Sequence, residues 1–219
     1  MSGVDPGSAA RERPESLPRT SLERLPQTFY LRPTVEVARD LLGRYLVLDD
    51  PDQPSRIGSI VETEAYVGEH DRASHARAGH TARTAPMFEE AGRAYVYRIY
   101  GMYWCLNVVT EPIGVACAVL IRAVAPVQGL VEATDGPGKL CRSYGIDGSR
   151  NRADLTAGPL AITAGEPPAA TAIGVSPRIG VPYAGEWADE PLRFFVSGNP
   201  HVSRRPGGRY RRTPSGLVS

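Results

Sequence analysis

The sequence predicts a single α+β domain, and three observations carry that prediction. One segment places apolar residues at helical spacing between a capping residue and a glycine. Several others alternate or run apolar with turn residues between them, as antiparallel strands do. No repeat or linker divides the 219 residues, a length sufficient for one ordinary hydrophobic core.

In chain order, "PTVEVARDLLG" predicts a helix with Thr34 as N-cap, Val35, Ala38, Leu41 and Leu42 on one stripe, and Gly43 as the stop. "RYLVLDD" and "RIGSIVETEAYVG" predict two strands joined by the turn "PDQPS". Within the second strand, alternation puts Val61, Thr63, Ala65 and Val67 on a core face. Ile60, Glu62, Glu64 and Tyr66 then share the other face. Residues 69–92 are polar, rich in small residues and broken by Gly and Pro, the pattern of a functional loop. "RAYVYRIYGMYWCLNVVT" reads as two strands about Gly101, and "VACAVLIRAVAP" as another, which makes a meander. "GPGKLCRSYGI" predicts a short helix opened by Pro137 and stopped by Gly145. One firm strand, "PLRFFVSG", follows among Pro/Gly loops.

Composition excludes several classes. With 42% apolar and 22% charged residues the chain is globular, and no run approaches the ~18 apolar residues of a membrane span. Residues 1–26 hold no signal-peptide core and read as a flexible leader, so an intracellular protein is expected, in cytoplasm or nucleoid if bacterial. Cys105, Cys117 and Cys141 are odd in number and far apart, which fits buried free thiols. The net charge of +1 lacks the basic excess of a strong nucleic-acid binder. Arg204, Arg205, Arg209, Arg211 and Arg212 nonetheless crowd residues 204–219, an expected flexible tail. Lys139 is the only lysine.

Common catalytic signatures are missing: there is no GxSxG elbow, Walker loop, GxGxxG or HExxH. His70, His75 and His80 recur at an interval that shares no helical face, but a loop could fold them round zinc with Asp71. Tyr95, Tyr97, Tyr100, Tyr103 and Trp104 suit either cross-strand packing or a platform for stacked bases. Tyr100-Gly101-Met102 falls at a turn, where large apolar side chains project outward. An acid-bearing strand, a tyrosine-rich hairpin and a strand ending in Arg122, facing one another across a cleft, would supply the parts of a nucleobase hydrolase.

Taken together, "RIGSIVETEAYVG", "YVYRIYGMYWCLN", "VLIRAVAP", "GPGKLC" and "GEWADEPLRFFVSG" closely resemble the alkyladenine (3-methyladenine) DNA glycosylase family, in its order, from about Gln27 to Val202. The resemblance implies a glycosylase domain over 27–203 with a curved antiparallel sheet, like the formyltransferase C-terminal domain. It implies base-excision repair of alkylated or deaminated purines in double-stranded DNA, by a monomer without cofactor or metal. By position, Glu64 resembles the base that activates water, and Arg122 and the Ile179 carbonyl the groups that hold that water. Tyr66, His75 and Tyr97 resemble the walls around the flipped base, and Asn107 the residue that crowds the 2-amino group of guanine. Tyr100 resembles the side chain wedged into the minor groove, with Met102 beside it, and Lys139 a phosphate contact. Glu62 shares the facing of Glu64 without assigned chemistry. Three features depart from the family: the stretch from Asn107 to Arg122 is about two residues longer, Tyr183 stands where animal members have histidine, and the arginine-rich tail after Val202, read as a disordered end over a DNA-tracking segment, has no family counterpart. Competing classes are a non-catalytic damaged-DNA binder of the same fold and a metal-dependent hydrolase built on the histidine loop.

Overall fold

A computed structural model of the chain describes residues 23–203; residues 1–22 of the expected leader and the tail 204–219 lie outside them. Paired backbone already begins in the last residues of the expected leader. The Leu25 amide donates to the Ile162 carbonyl at 2.9 Å and its side chain is buried.

Two short helices follow, α1 (Gln27–Tyr30) and α2 (Thr34–Asp40). The predicted apolar stripe buries Ala38, Leu41 and Leu42, while Val35 stays exposed. The start of α2 differs from expectation: Pro33 holds the cap position and Thr34 is the first helical residue. The Thr34 hydroxyl instead meets Thr110 at 2.9 Å and the Glu111 carboxylate, so tertiary partners win over local capping. Gly43 ends the segment at φ +80°, where any Cβ would collide with the Glu166 carbonyl.

The sheet holds β1 (Tyr45–Leu48), β2 (Arg56–Val67), β3 (Ala94–Ile99), β4 (Tyr103–Thr110), β5 (Cys117–Gln128), β6 (Leu160–Thr163), β7 (Ile173–Ser176) and β8 (Arg193–Val196). Every pairing is antiparallel, in the order β3-β4-β5-β2-β1-β6, with β8 joining β2 and β7 joining β8. The β1–β2 hairpin and the β3–β4–β5 meander match expectation, whereas the four-residue β6 and β7 were not predicted. The central strand is β2. Along one edge it pairs with β5; along the other it serves β1 first and β8 last, and the sheet curls round it. Helix α2 packs on β2, and α3 (Pro137–Tyr144) packs on β4 and β5. As expected, α3 opens at Pro137 and stops at Gly145, φ +68°.

The reading of β2 faces needs one correction. Ile60 opposes Val124, Glu62 opposes Ala123, and Thr63 opposes Ile121. Val61 is therefore an extra residue on β2 and Arg122 an extra residue on β5, two compensating bulges. The first resets the alternation, so Ile60 packs in the main core together with Ala65. Thr63 points to the helix side, donating to the Ala38 carbonyl at 2.7 Å. Glu62, Glu64 and Tyr66 keep the opposite face. Arg122 also sits mid-strand and not at a strand end, and its bulge frees its side chain from the regular ladder.

Candidate active site

The site lies where β2 meets β5 and β8. Tyr95, Asn107, Leu120, Glu64 and Arg193 stand opposite one another across five adjacent strands and form one row on the sheet. Such cross-strand partners share a face.

Glu64 is completely buried and accepts three hydrogen bonds. The Ile179 amide reaches Oε1 at 2.7 Å. Arg122 Nη1 and the Tyr66 hydroxyl reach Oε2 at 3.2 and 3.0 Å. The contact from Ile179 is thus its N–H, while the sequence reading had singled out its carbonyl. Burial opposes the charge on Arg122, but Glu64 and then Glu62 outweigh it and hold the guanidinium protonated. Burial, followed by the Glu64 charge, pushes the Tyr66 phenol well above its usual range, so it donates at neutral pH.

Glu62 is equally buried and binds a different set. Its Oε1 accepts from Arg122 Nε at 3.0 Å, Arg193 Nε at 2.6 Å and Ser203 Oγ at 2.8 Å; its Oε2 accepts from the Ser203 amide at 2.6 Å. A second buried ion pair backs the aromatic wall. The two terminal guanidinium nitrogens of Arg178, Nη1 and Nη2, meet Asp71, and its charge lies 4.7 Å from the Tyr66 ring centre.

Facing these groups is an aromatic corner. His75 and Tyr97 pack edge to face with centres 4.5 Å apart, and the His75 Nδ1 shares a hydrogen bond with the Tyr95 hydroxyl at 3.0 Å. Burial, helped by Arg83, lowers His75 to about 4, which leaves a neutral ring at pH 7. Burial raises the Tyr97 phenol, and Glu64 is among the charges it feels. Asn107 is buried and donates to the Tyr95 carbonyl at 2.9 Å.

The remaining predicted residues lie apart from this cluster. Tyr100 and Gly101, at φ +52° and +67°, form the β3–β4 turn. Tyr100 is 80% exposed and Met102 65%. A tyrosine with positive φ is strained, an outlier of the kind that clusters at functional sites. Lys139 is exposed on α3 and pairs with Asp135 at 3.1 Å; the neighbouring Gly138 abuts Tyr103, whose partner Ile99 flanks the β3–β4 turn. Tyr183 is exposed, and its hydroxyl reaches the Ala73 carbonyl at 3.4 Å.

The histidine loop does not converge. His70 packs on Trp187, His75 on Tyr97 and His80 on Phe88, while Asp71 is committed to Arg178. Among the described residues no group of three His, Cys, Asp or Glu side chains is placed to hold a metal ion. All three cysteines are buried and free, as expected. Among the described residues no helix is long and apolar enough to cross a membrane.

Sequence reasoning missed Arg193, Ser203 and the Arg178–Asp71 pair. An arginine flanked by Leu192, Phe194 and Phe195 was the available signal for Arg193. Nothing local marks Ser203.

Residues 28–200, spanning every strand, match the family model described as methylpurine-DNA glycosylase. The class is therefore an enzyme, a DNA glycosylase. The chain belongs to the methylpurine-DNA glycosylase family. It is 52% identical over 184 residues to a protein of Myxococcus xanthus (strain DK1622), covering 83% of this chain and 94% of that one. It is 49% identical over 183 residues to one of Legionella pneumophila (strain Corby), covering 84% and 100%. A protein of Methanocella arvoryzae is 50% identical over 199 residues, covering 84% and 98%. Each of the three carries the name "Putative 3-methyladenine DNA glycosylase".

Proposed function

We propose that the protein is a monofunctional glycosylase of base-excision repair, acting on alkylated or deaminated purines in duplex DNA. The class comprises 3-methyladenine, 7-methylguanine, hypoxanthine and ethenoadenine, and the names of its relatives favour the first. Tyr100, with Met102 beside it, enters the minor groove and takes the place of the extruded nucleotide. The base rests among Tyr66, His75 and Tyr97, where a neutral imidazole does not repel a cationic purine. Asn107 crowds the 2-amino group of normal guanine.

Glu64 takes a proton from the water that attacks C1′, and Arg122 and the Ile179 carbonyl hold that water. The C1′–N bond breaks, its electrons leave with the base, and an abasic site remains. The observation that carries this reading is the setting of Glu64. It is buried beside aromatic faces, and among the described residues its Oε1 has the Ile179 amide as its hydrogen-bond partner. A Schiff-base route needs a free amine near C1′, and the single lysine side chain, Lys139, is ion-paired on α3.

A panel of duplexes, each with one defined lesion, tests the proposal. Free base should appear and the strand should stay intact, with no covalent adduct after borohydride. Glu64→Gln should slow release by about 10²–10⁴-fold and keep lesion affinity. Release at the wild-type rate by that variant would remove Glu64 from its role.

A further inference from the structure

The site holds a second carboxylate that the mechanism above does not use. Glu62 and Glu64 are fully buried, and the guanidiniums of Arg122 and Arg193 are almost as deep. Two anions therefore face two cations, and their order is specific. Arg193 binds Glu62 through Nε and is held by Ser176 Oγ at 3.0 Å and the Ser203 carbonyl at 3.3 Å. Arg122 is divided between the acids, with Nε on Glu62 and a single Nη1 on Glu64.

That division matters because an unshared arginine and carboxylate tend to form a bidentate pair that occupies both oxygens. We infer that Glu62 and Arg193 are positioning residues for base release, holding Arg122 half-shared so that one oxygen of Glu64 stays clear of the guanidinium and able to take a proton. The inference rests on the general-base reading of Glu64. Glu62 pulls Arg122 by its Nε edge, and Arg193 keeps the charge of Glu62 from taking the whole guanidinium.

The charges make the roles separable. Glu64 is faced by Glu62 and Tyr66 on its own strand, Arg122 on β5, Arg193 on β8, Tyr97 on β3, Cys105 on β4 and Arg178 beside Ile179. Neutralising Glu62 removes an anion and releases Arg122 toward Glu64. Both effects make the base easier to deprotonate and weaker. Neutralising Arg193 acts in the opposite sense, because Glu62 then draws Arg122 away. Mere structural support would give no such opposition.

The experiment is the pH dependence of single-turnover release from a duplex holding one 7-methylguanine, whose fixed charge leaves the titration to the protein. Glu62→Gln should move the acid limb down by about one pH unit, and Arg193→Met should move it up. Lesion affinity should stay within about threefold in both. Glu62→Asp, which keeps the charge, should return the limb toward wild type. Should Glu62→Gln fail to fold, Arg193→Met against Arg193→Lys decides the matter by the same limb. Equal loss at every pH with the limb in place, or movement of both variants in one direction, overturns the inference. A Glu64→Gln variant that still releases base with an unchanged limb would instead remove the general-base reading beneath it.

Discussion

The two ends of the working surface are built on opposite terms. At the acid floor, Glu62, Glu64, Arg122 and Arg193 are buried and their side chains make ten hydrogen bonds among the described residues. At the hairpin tip, Tyr100 and Met102 stand in solvent on a turn with positive φ. In the proposed mechanism the floor presents charge to a reacting carbon, which requires groups already oriented before substrate arrives. In that mechanism the tip enters a duplex, which requires an exposed side chain. Stability is concentrated at the first and given up at the second.

Breaking the buried ion pair beside the floor, behind Tyr66, should therefore cost the most. Asp71→Ala leaves Arg178 buried and unpaired behind Tyr66, and should lose about 3–5 kcal/mol in denaturant unfolding. Asp71→Ala with Arg178→Met should recover most of that loss; a single variant as stable as wild type would contradict the burial of the pair.

The tip should behave inversely. Tyr100→Gly removes a side chain from a positive-φ position and should raise stability by about 1 kcal/mol. If Tyr100 acts as the proposed wedge, the same change should weaken lesion binding on the order of tenfold, as read by fluorescence anisotropy. A loss of stability with unchanged binding would reverse the comparison.

His75 lies between the two regimes and predicts a pH effect. Its ring titrates near 4 in the fold against 6.5 unfolded, so the unfolded chain binds more protons in that window. Its contribution is complete above pH 6.5 and is lost as pH falls toward 4. Stability of His75→Gln should fall less steeply across that interval. The smallest effect belongs to Lys139→Ala, which should lower the salt dependence of DNA binding by about one counterion and leave release intact.

What the sequence disclosed divides along similar lines. The shared facing of Glu62, Glu64 and Tyr66 and the turn at Tyr100 were legible because their cues are local, an alternating strand and a glycine after a bulky residue, whereas only the family resemblance separated Glu64 from Glu62. The facing of Ile60 was misread because a bulge at Val61 adds one residue that only the partner strand reveals. Thr34 looked like a cap because its competitors, Thr110 and Glu111, lie far along the chain. Arg193 and Ser203 gain meaning only once β8 lies beside β2, a pairing with no periodic signature.

The Ser203 contact also sets an order of manufacture. Its amide closes on Glu62 across 141 positions of sequence. A nascent chain that has emerged only as far as β5 holds two acids and one guanidinium, and the cleft cannot balance its charge. Pairings of such long range form last and slowly. A chain cut before this serine would lack two of the four hydrogen bonds that Glu62 accepts.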